Sequence, residues 1–177
     1  MRFTISSTAL CNKLIALSRV INSKNSLPIL SDFIFDIEDN TLRLTASDSE
    51  NTLKTTVELI ESDTNDSFAI GSHDILEAMK SIPEQPVTFD ISKVEKISYQ
   101  NGLFSLPIEN VDEFPQPQEI SSNSYTITIP SHILSDTINR SIFATGQDEI
   151  RPVMNGIFFD LTPECLCIVA TDGHKLV

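Results

Sequence analysis

The chain has 177 residues, 40% of them hydrophobic, and a formal net charge of -13 at pH 7; that is enough apolar side chain for one large core or two small ones. No window approaches the roughly 18 consecutive apolar residues of a membrane-spanning helix, and Met1-Arg2-Phe3-Thr4-Ile5 opens no signal-peptide apolar run, so the chain reads as soluble, cytoplasmic and without a membrane partner. Its three cysteines suit a reducing compartment better than a disulfide framework, and its acidity argues against phosphate binding unless a few cations gather on one face.

In chain order, Phe3 to Ile5 reads as a short strand, and Ser7 or Thr8 as the cap of a helix. Leu10, Leu14, Leu17 and Ile21 recur at helical spacing as its buried stripe, leaving Asn12, Ala16 and Arg19 on the opposite face. Phe33 to Ile37 and Thr41 to Thr45 form a hairpin about the polar turn Glu38-Asp39-Asn40. Strands follow near Thr55 to Leu59 and Phe68 to Ile70, then a helix from Ser72 to Ser81 with Ile75, Leu76 and Met79 inward. Val87 to Ile91 and Lys96 to Tyr99 are the next strands; Asn101-Gly102 is a type I′ turn signal, and Leu103 to Ile108 returns from it. Pro115 to Ser124 is polar and without apolar periodicity, which sets a first domain at 1–118, a linker at 119–124 and a second domain at 125–177. There Ser131 caps a helix with Leu134, Ile138 and Ser141/Ile142 inward and Asp136, Asn139 and Arg140 outward.

The chain repeats itself. Shifted by 124 positions, Phe3 to Glu50 overlays Ile127 to His174 without a gap, laying Pro28 on Pro152. Thr4/Thr128, Leu10/Leu134, Phe35/Phe159, Asp36/Asp160, Leu42/Leu166, Ala46/Ala170 and Asp48/Asp172 are identical, and Ile29/Val153, Leu30/Met154, Ile37/Leu161 and Leu44/Ile168 exchange one apolar residue for another. Each copy reads as strand, helix, strand, strand, and residues 52 to 110 repeat the motif more loosely. The second copy stops where the first still has much of its domain to run, so the chain reads as truncated, with an unpaired sheet edge and half a core.

Thr171-Asp172-Gly173-His174 is the densest polar cluster on an apolar background. Asp172 and His174 are too few for a metal site, and a hydrolytic reading lacks a nucleophile and a third partner, His73 and His132 being distant in sequence. Cys165 and Cys167 face one way on an alternating strand and, without two more soft ligands, read as structural. The five glycines form no phosphate loop, so no cofactor or metal is implied.

Four stretches together resemble the beta subunit of bacterial DNA polymerase III, the beta sliding clamp family: Lys24 with Leu27-Pro28-Ile29-Leu30; Phe104-Ser105-Leu106-Pro107 leading to Asp112-Glu113-Phe114-Pro115; Arg151-Pro152-Val153-Met154-Asn155-Gly156; and Ala170-Thr171-Asp172-Gly173-His174-Lys175-Leu176. The resemblance covers the whole chain in order. It implies an α+β DNA-clamp fold of repeated strand-helix-strand-strand-strand units, with helices on one face of antiparallel sheets. It further implies a non-enzymatic processivity subunit that encircles double-stranded DNA as a ring with a second clamp subunit. Helix cations facing the hole would be Arg19, Lys80 and Arg140, with Lys24 and Gln147 at family contact positions and His73 where some relatives carry a basic residue. A hydrophobic peptide-binding pocket would use Arg151, Met154, Thr171, Gly173, His174, Lys175 and Leu176 for short linear motifs of the polymerase III catalytic subunit, the clamp loader and repair factors. In the family the rest of that pocket comes from a third domain, so this chain is expected to bind such a motif weakly or not at all. The competing reading is an acidic repeat protein that acts only as a protein-protein scaffold.

Overall fold

The computed structural model describes residues 2–21, 27–48, 50–63, 65–91, 95–100, 102–115, 126–148, 150–162 and 164–177. The chain divides into two compact units, Met1–Glu119 and Ile120–Val177. The Pro115 to Ser124 linker reading and Asn101 of the turn signal fall almost entirely or wholly outside the described residues.

In the first unit, β1 (Arg2–Ser6) leads into helix α1 (Ser7–Leu17), a 3-10 turn (Pro28–Ser31) and strands β2 (Asp32–Glu38), β3 (Thr41–Ser47), β4 (Thr52–Glu58) and β5 (Glu61–Ser62). Then come β6 (Ser67–Gly71), helix α2 (Ser72–Ser81), β7 (Pro86–Ile91), β8 (Glu95–Tyr99), β9 (Gly102–Leu106) and β10 (Ile108–Glu109). They form two antiparallel five-stranded sheets, ordered β5-β1-β7-β8-β9 and β10-β6-β2-β3-β4. The two halves interlock: the leading strand of each, β1 and β6, pairs not with its own hairpin but with β7 and β2 of the other half.

Alternation decides what lies inside. Phe33, Phe35 and Ile37 of β2 and Leu42, Leu44 and Ala46 of β3 point to one buried face, shared with Phe3, Ile5, Val87 and Phe89 of the other sheet. Cross-strand neighbours Phe3 and Phe89 stack at 4.6 Å between centroids, and Phe35 and Phe68 at 5.1 Å. Phe3 meets Phe68 at 6.5 Å and Phe35 meets Phe89 at 6.3 Å, which ties the sheets together. Leu10, Leu14 and Leu17 of α1 and Ile75, Ala78 and Met79 of α2 enter the same core. Cys11 packs half-buried against it.

The described elements revise several sequence expectations. Ser6, not Ser7 or Thr8, caps α1, its hydroxyl accepting from Ala9 N at 3.3 Å. Ser7 is buried instead, donating from Oγ to the Pro83 carbonyl (2.9 Å) and accepting from Gln85 N (3.0 Å). The helix ends at Leu17, so Ile21 joins the core from beyond it. Asp39 and Asn40 turn the first hairpin with φ of 45° and 65°, the left-handed pair that two-residue hairpins favour. The strand expected at Leu103 to Ile108 breaks at Pro107, and Ile108–Glu109 crosses to pair with β6. Gly102 has a steric reason: a Cβ there would sit 2.6 Å from Tyr99 Cζ.

In the second unit, helix α3 (Ser131–Ser141) runs into a 3-10 turn (Ile142–Ala144); a second 3-10 turn (Pro152–Asn155) precedes the antiparallel pair β11 (Phe158–Leu161) and β12 (Leu166–Val169). The 124-residue shift carries Ser7–Leu17 onto Ser131–Ser141 and Pro28–Ser31 onto Pro152–Asn155, bound for bound. No strand forms over 127–129, whereas β1, at the equivalent place in the first unit, pairs with Glu61–Ser62 and Pro86–Ile91. Pro130 rather than Ser131 occupies the N-cap of α3. Leu134 and Ile138 are half-buried and Ser141 buried, but Ile142 is exposed, as are Phe158, Phe159 and Leu161. Cys165 and Cys167 are exposed thiols on one side of the strand, away from half-buried Leu166 and Ile168. Among the described residues no helix is long and apolar enough to cross a membrane.

Truncating the ring that bridges both sheets, Phe89→Ala, is expected to destabilise the chain by about 3–5 kcal/mol in chemical denaturation. A second expectation concerns Asp32, whose carboxyl is pushed up to about 6 by burial, with the charge of Glu109 adding to it. A raised folded-state value means that stability is fully present below the unfolded value and is lost as pH rises toward 6. Asp32→Asn should therefore gain on the parent chain between about pH 4 and pH 7, by on the order of 1 kcal/mol after solvent screening. Equal pH profiles of unfolding for the two proteins would contradict this.

Candidate functional site

The predicted DNA-facing cations sit at helix ends. Arg19 is exposed in the turn that follows α1, Lys80 is exposed in the last turn of α2, and Arg140 is exposed in the last turn of α3. Each position also complements the negative end of its helix dipole, so structure alone is a sufficient reason for a cation there. His73 is exposed on α2, with Nδ1 3.3 Å from Asp74 Oδ1 and Nε2 3.6 Å from Glu77 Oε1. Those two carboxylates share the exposed surface of α2 with Lys80, so its charge is mixed. Gln147 is exposed and lines a cleft of about 680 Å³ with Ile142, Thr145, Gly146 and Asn155. Lys24 lies outside the described residues.

The seven predicted pocket residues come from two loops of the second unit, each wound around an aspartate. Asp148 Oδ1 accepts from Ile150 N (2.8 Å) and Arg151 N (3.1 Å), while Oδ2 takes Arg151 Nε and Nη2, both at 2.8 Å. The Arg151 side chain, followed by the two backbone N–H groups, holds the Asp148 carboxyl below its ordinary range. Asn155 closes the loop, accepting from Asp148 N at 2.7 Å and donating to its carbonyl at 3.2 Å, and Gly146 N donates to the Met154 carbonyl at 2.8 Å.

In the second loop, Asp172 Oδ1 accepts from His174 N and Lys175 N, each at 2.9 Å, and Oδ2 lies 3.4 Å from Lys175 Nζ. The N–H of Lys175, then that of His174, hold this carboxyl down to about 2. Thr171 Oγ1 accepts from Gly173 N (3.0 Å) and donates to the Lys175 carbonyl (2.7 Å), and Ala170 and Val177 exchange two backbone bonds of 3.0 Å. Gly173 has φ of +88°, the left-handed region open to glycine.

The loops meet at that glycine: a Cβ on Gly173 would lie 3.5 Å from Arg151 Nη1 and 3.8 Å from Met154 Sδ. Arg151, Met154 and Gly173 are thus together, with Thr171 and Lys175 tied to the same turn. Lys175 Nζ stands 5.8 Å over the Phe143 ring. Leu176 is 72% exposed and Met154 half-buried, so the apolar floor expected of these two is open to solvent. Sequence reading missed Asp148 and Asn155, which position the predicted residues without being among them; the only signal was a polar residue three before Arg151. The Asp172 carboxylate is engaged by its own turn, and among the described residues no group of three or more His, Cys, Asp or Glu is gathered to hold a metal.

Residues 1–118 match the family described as DNA polymerase III beta subunit, N-terminal domain, and residues 128–177 match its central domain. The chain belongs to the DNA polymerase III beta subunit family. The beta sliding clamps of Halalkalibacterium halodurans and Buchnera aphidicola subsp. Rhopalosiphum padi are 27% and 29% identical to it, over 99% of this chain and 48% of theirs. The crystal structures of the DNA polymerase III beta subunits of Pseudomonas aeruginosa and Thermotoga maritima superpose with TM-scores of 0.92 and 0.87 at 27% identity, again over 99% of this chain and 48% of those. The chain thus shares the α+β clamp fold and spans 48% of the length of these beta subunits. The scaffold alternative finds no support among them.

The Asp172 turn yields a prediction whose sign is fixed by its lowered carboxyl: the stabilisation is present above the unfolded value of about 4 and is lost as pH falls toward about 2. Amide exchange at His174 and Lys175 should quicken across that window relative to β12, and Asp172→Ala should reproduce the faster exchange at neutral pH. Unchanged exchange in the variant would show that the carboxylate does not hold the turn.

Proposed function

We propose that this chain forms part of a sliding clamp, a non-catalytic processivity subunit that encircles duplex DNA and tethers a polymerase and other partners through a peptide-binding pocket. The observation that carries the reading is the recurrence of the helix and 3-10 turn at one fixed shift, on chain segments matched in order to the N-terminal and central domains of the DNA polymerase III beta subunit. Repeated units are what a ring requires, because each must offer the same curvature and the same helical face to a duplex that passes through unread.

In this reading Arg19, His73, Lys80, Arg140, Lys24 and Gln147 face DNA. A net charge of -13 is compatible with that role, since a sliding contact calls for a few dispersed cations rather than a tight grip. Arg151, Met154, Thr171, Gly173, His174, Lys175 and Leu176 form one wall of the peptide pocket, with the Gly173 edge admitting close backbone approach and Met154 adapting to apolar side chains. A ring with a second clamp subunit, the polymerase III catalytic subunit, the clamp loader and repair factors are the partners, in the cytoplasm.

Retention on a closed circular duplex, compared with the same duplex linearised, tests the proposal. Topological linkage predicts loss on linearisation, and equal loss from both forms would overturn it. Arg19→Ala and Arg140→Ala should each reduce the slope of log affinity against log salt by about 1, the value for one lost phosphate contact.

A further inference from the structure

The outer face of the sheet β10-β6-β2-β3-β4, turned away from the core, holds a second candidate site. Register sets Ile34 beside Thr45 and Thr45 beside Lys54 in one row, and Asp36 beside Arg43 in the next. Phe114 folds over this face and is buried against Ile29, Leu30, Ile34 and Ala69, a satellite core separate from the main one. Between them lies a groove of about 280 Å³, with Ile34, Val111 and Phe114 as apolar walls and Thr45, Lys54 and Arg43 as polar ones.

The polar groups of the groove are unequally satisfied. Asp36, which also lines it, has both oxygens engaged: Oδ1 accepts from Ser67 Oγ at 2.7 Å and Oδ2 from Arg43 Nη1 at 3.0 Å. Arg43 Nη2 leans to Glu38 at 3.6 Å. Thr45 is only 7% exposed, yet its hydroxyl makes no hydrogen bond to any described residue, and Lys54 has no ion pair among them. A buried hydroxyl without a partner is unfavourable to folding and uncommon in native proteins. What remains open is therefore a pair of donors, Thr45 Oγ1 and Lys54 Nζ, beside an apolar wall, and the ionised lining side chains leave one positive charge in excess.

We infer that this groove binds the apolar C-terminal residue of a partner peptide, its carboxylate on Thr45 and Lys54 and its side chain against Ile34, Val111 and Phe114. The volume lies below the roughly 300–1,000 Å³ of drug-sized sites, so one residue fills it. That residue must bring both an acceptor and an apolar group. A C-terminal residue carries both on one Cα, whereas an internal acidic residue brings the carboxylate alone.

The test titrates the isotope-labelled chain with acetyl-Gly-Gly-Leu bearing a free carboxylate, with its C-terminal amide, and with acetyl-Gly-Glu-Gly-amide. The free acid is expected to shift the amides of Thr45, Lys54 and Val111 saturably, and the other two peptides to leave them unmoved. Thr45→Val should weaken binding about tenfold, the scale of one lost hydrogen bond, without lowering the melting temperature, since it removes an unpartnered hydroxyl. Exposed Lys54→Met should weaken it in the same direction. Equal binding of the amide or of the internal acid, shifts centred elsewhere, no saturable shift, or wild-type affinity in both variants would overturn the assignment. None of these residues belongs to the proposed clamp surfaces, so that reading stands or falls separately.

Discussion

The first unit depends on four phenylalanine rings that bridge two sheets. Phe3 and Phe89 stack within one sheet, Phe35 and Phe68 within the other, and the two pairs meet across the core. The meeting is possible because β1 and β6 are exchanged between halves, so each sheet contains strands from both ends of the sequence. Neither half can complete a sheet alone. The helices then cover the remaining apolar surface with Leu10, Leu14 and Leu17 and with Ile75, Ala78 and Met79, which leaves their other faces to solvent.

That arrangement sets the electrostatic problem of the proposed DNA surface. The cations lie where the helices end, at positions that the helix dipoles would favour without any nucleic acid. Asp74 and Glu77 share the exposed surface of α2 and flank His73. The surface is therefore mixed in charge, consistent with transient phosphate contact and inconsistent with a site built to hold one sequence in place.

The second unit shows how a loop is made rigid with little core beneath it. Asp148 and Asp172 each collect consecutive backbone N–H groups and the side chain of the cation three residues on, Arg151 and Lys175. In the first copy Asp48, at the position equivalent to Asp172, accepts from Glu50 N (3.0 Å) and Asn51 N (2.7 Å) in the same way. The turn is thus a property of the repeated unit, and Gly173, His174 and Lys175 are specialisations laid on it. Arg151 and Met154 reach Gly173 from another loop, a proximity that no spacing in the sequence encodes.

Much of this protein follows from sequence alone. The apolar stripe of α1, the alternation of β2 and β3 and the Asp39-Asn40 turn are local features, written in periods of 3.6 and 2 and in the left-handed tolerance of Asp and Asn. The shift of 124 positions was legible for the same reason, since two copies of one core repeat one pattern of burial. Tertiary structure decided what depends on partners far along the chain. The exchange of β1 and β6, the crossing of Ile108–Glu109 to the other sheet and the buried position of Ser7 against Pro83 and Gln85 each satisfy backbone groups at long range. Residues 127–129 have the sequence of a strand but pair with no strand among the described residues, and a strand, unlike a helix, cannot satisfy its backbone by itself.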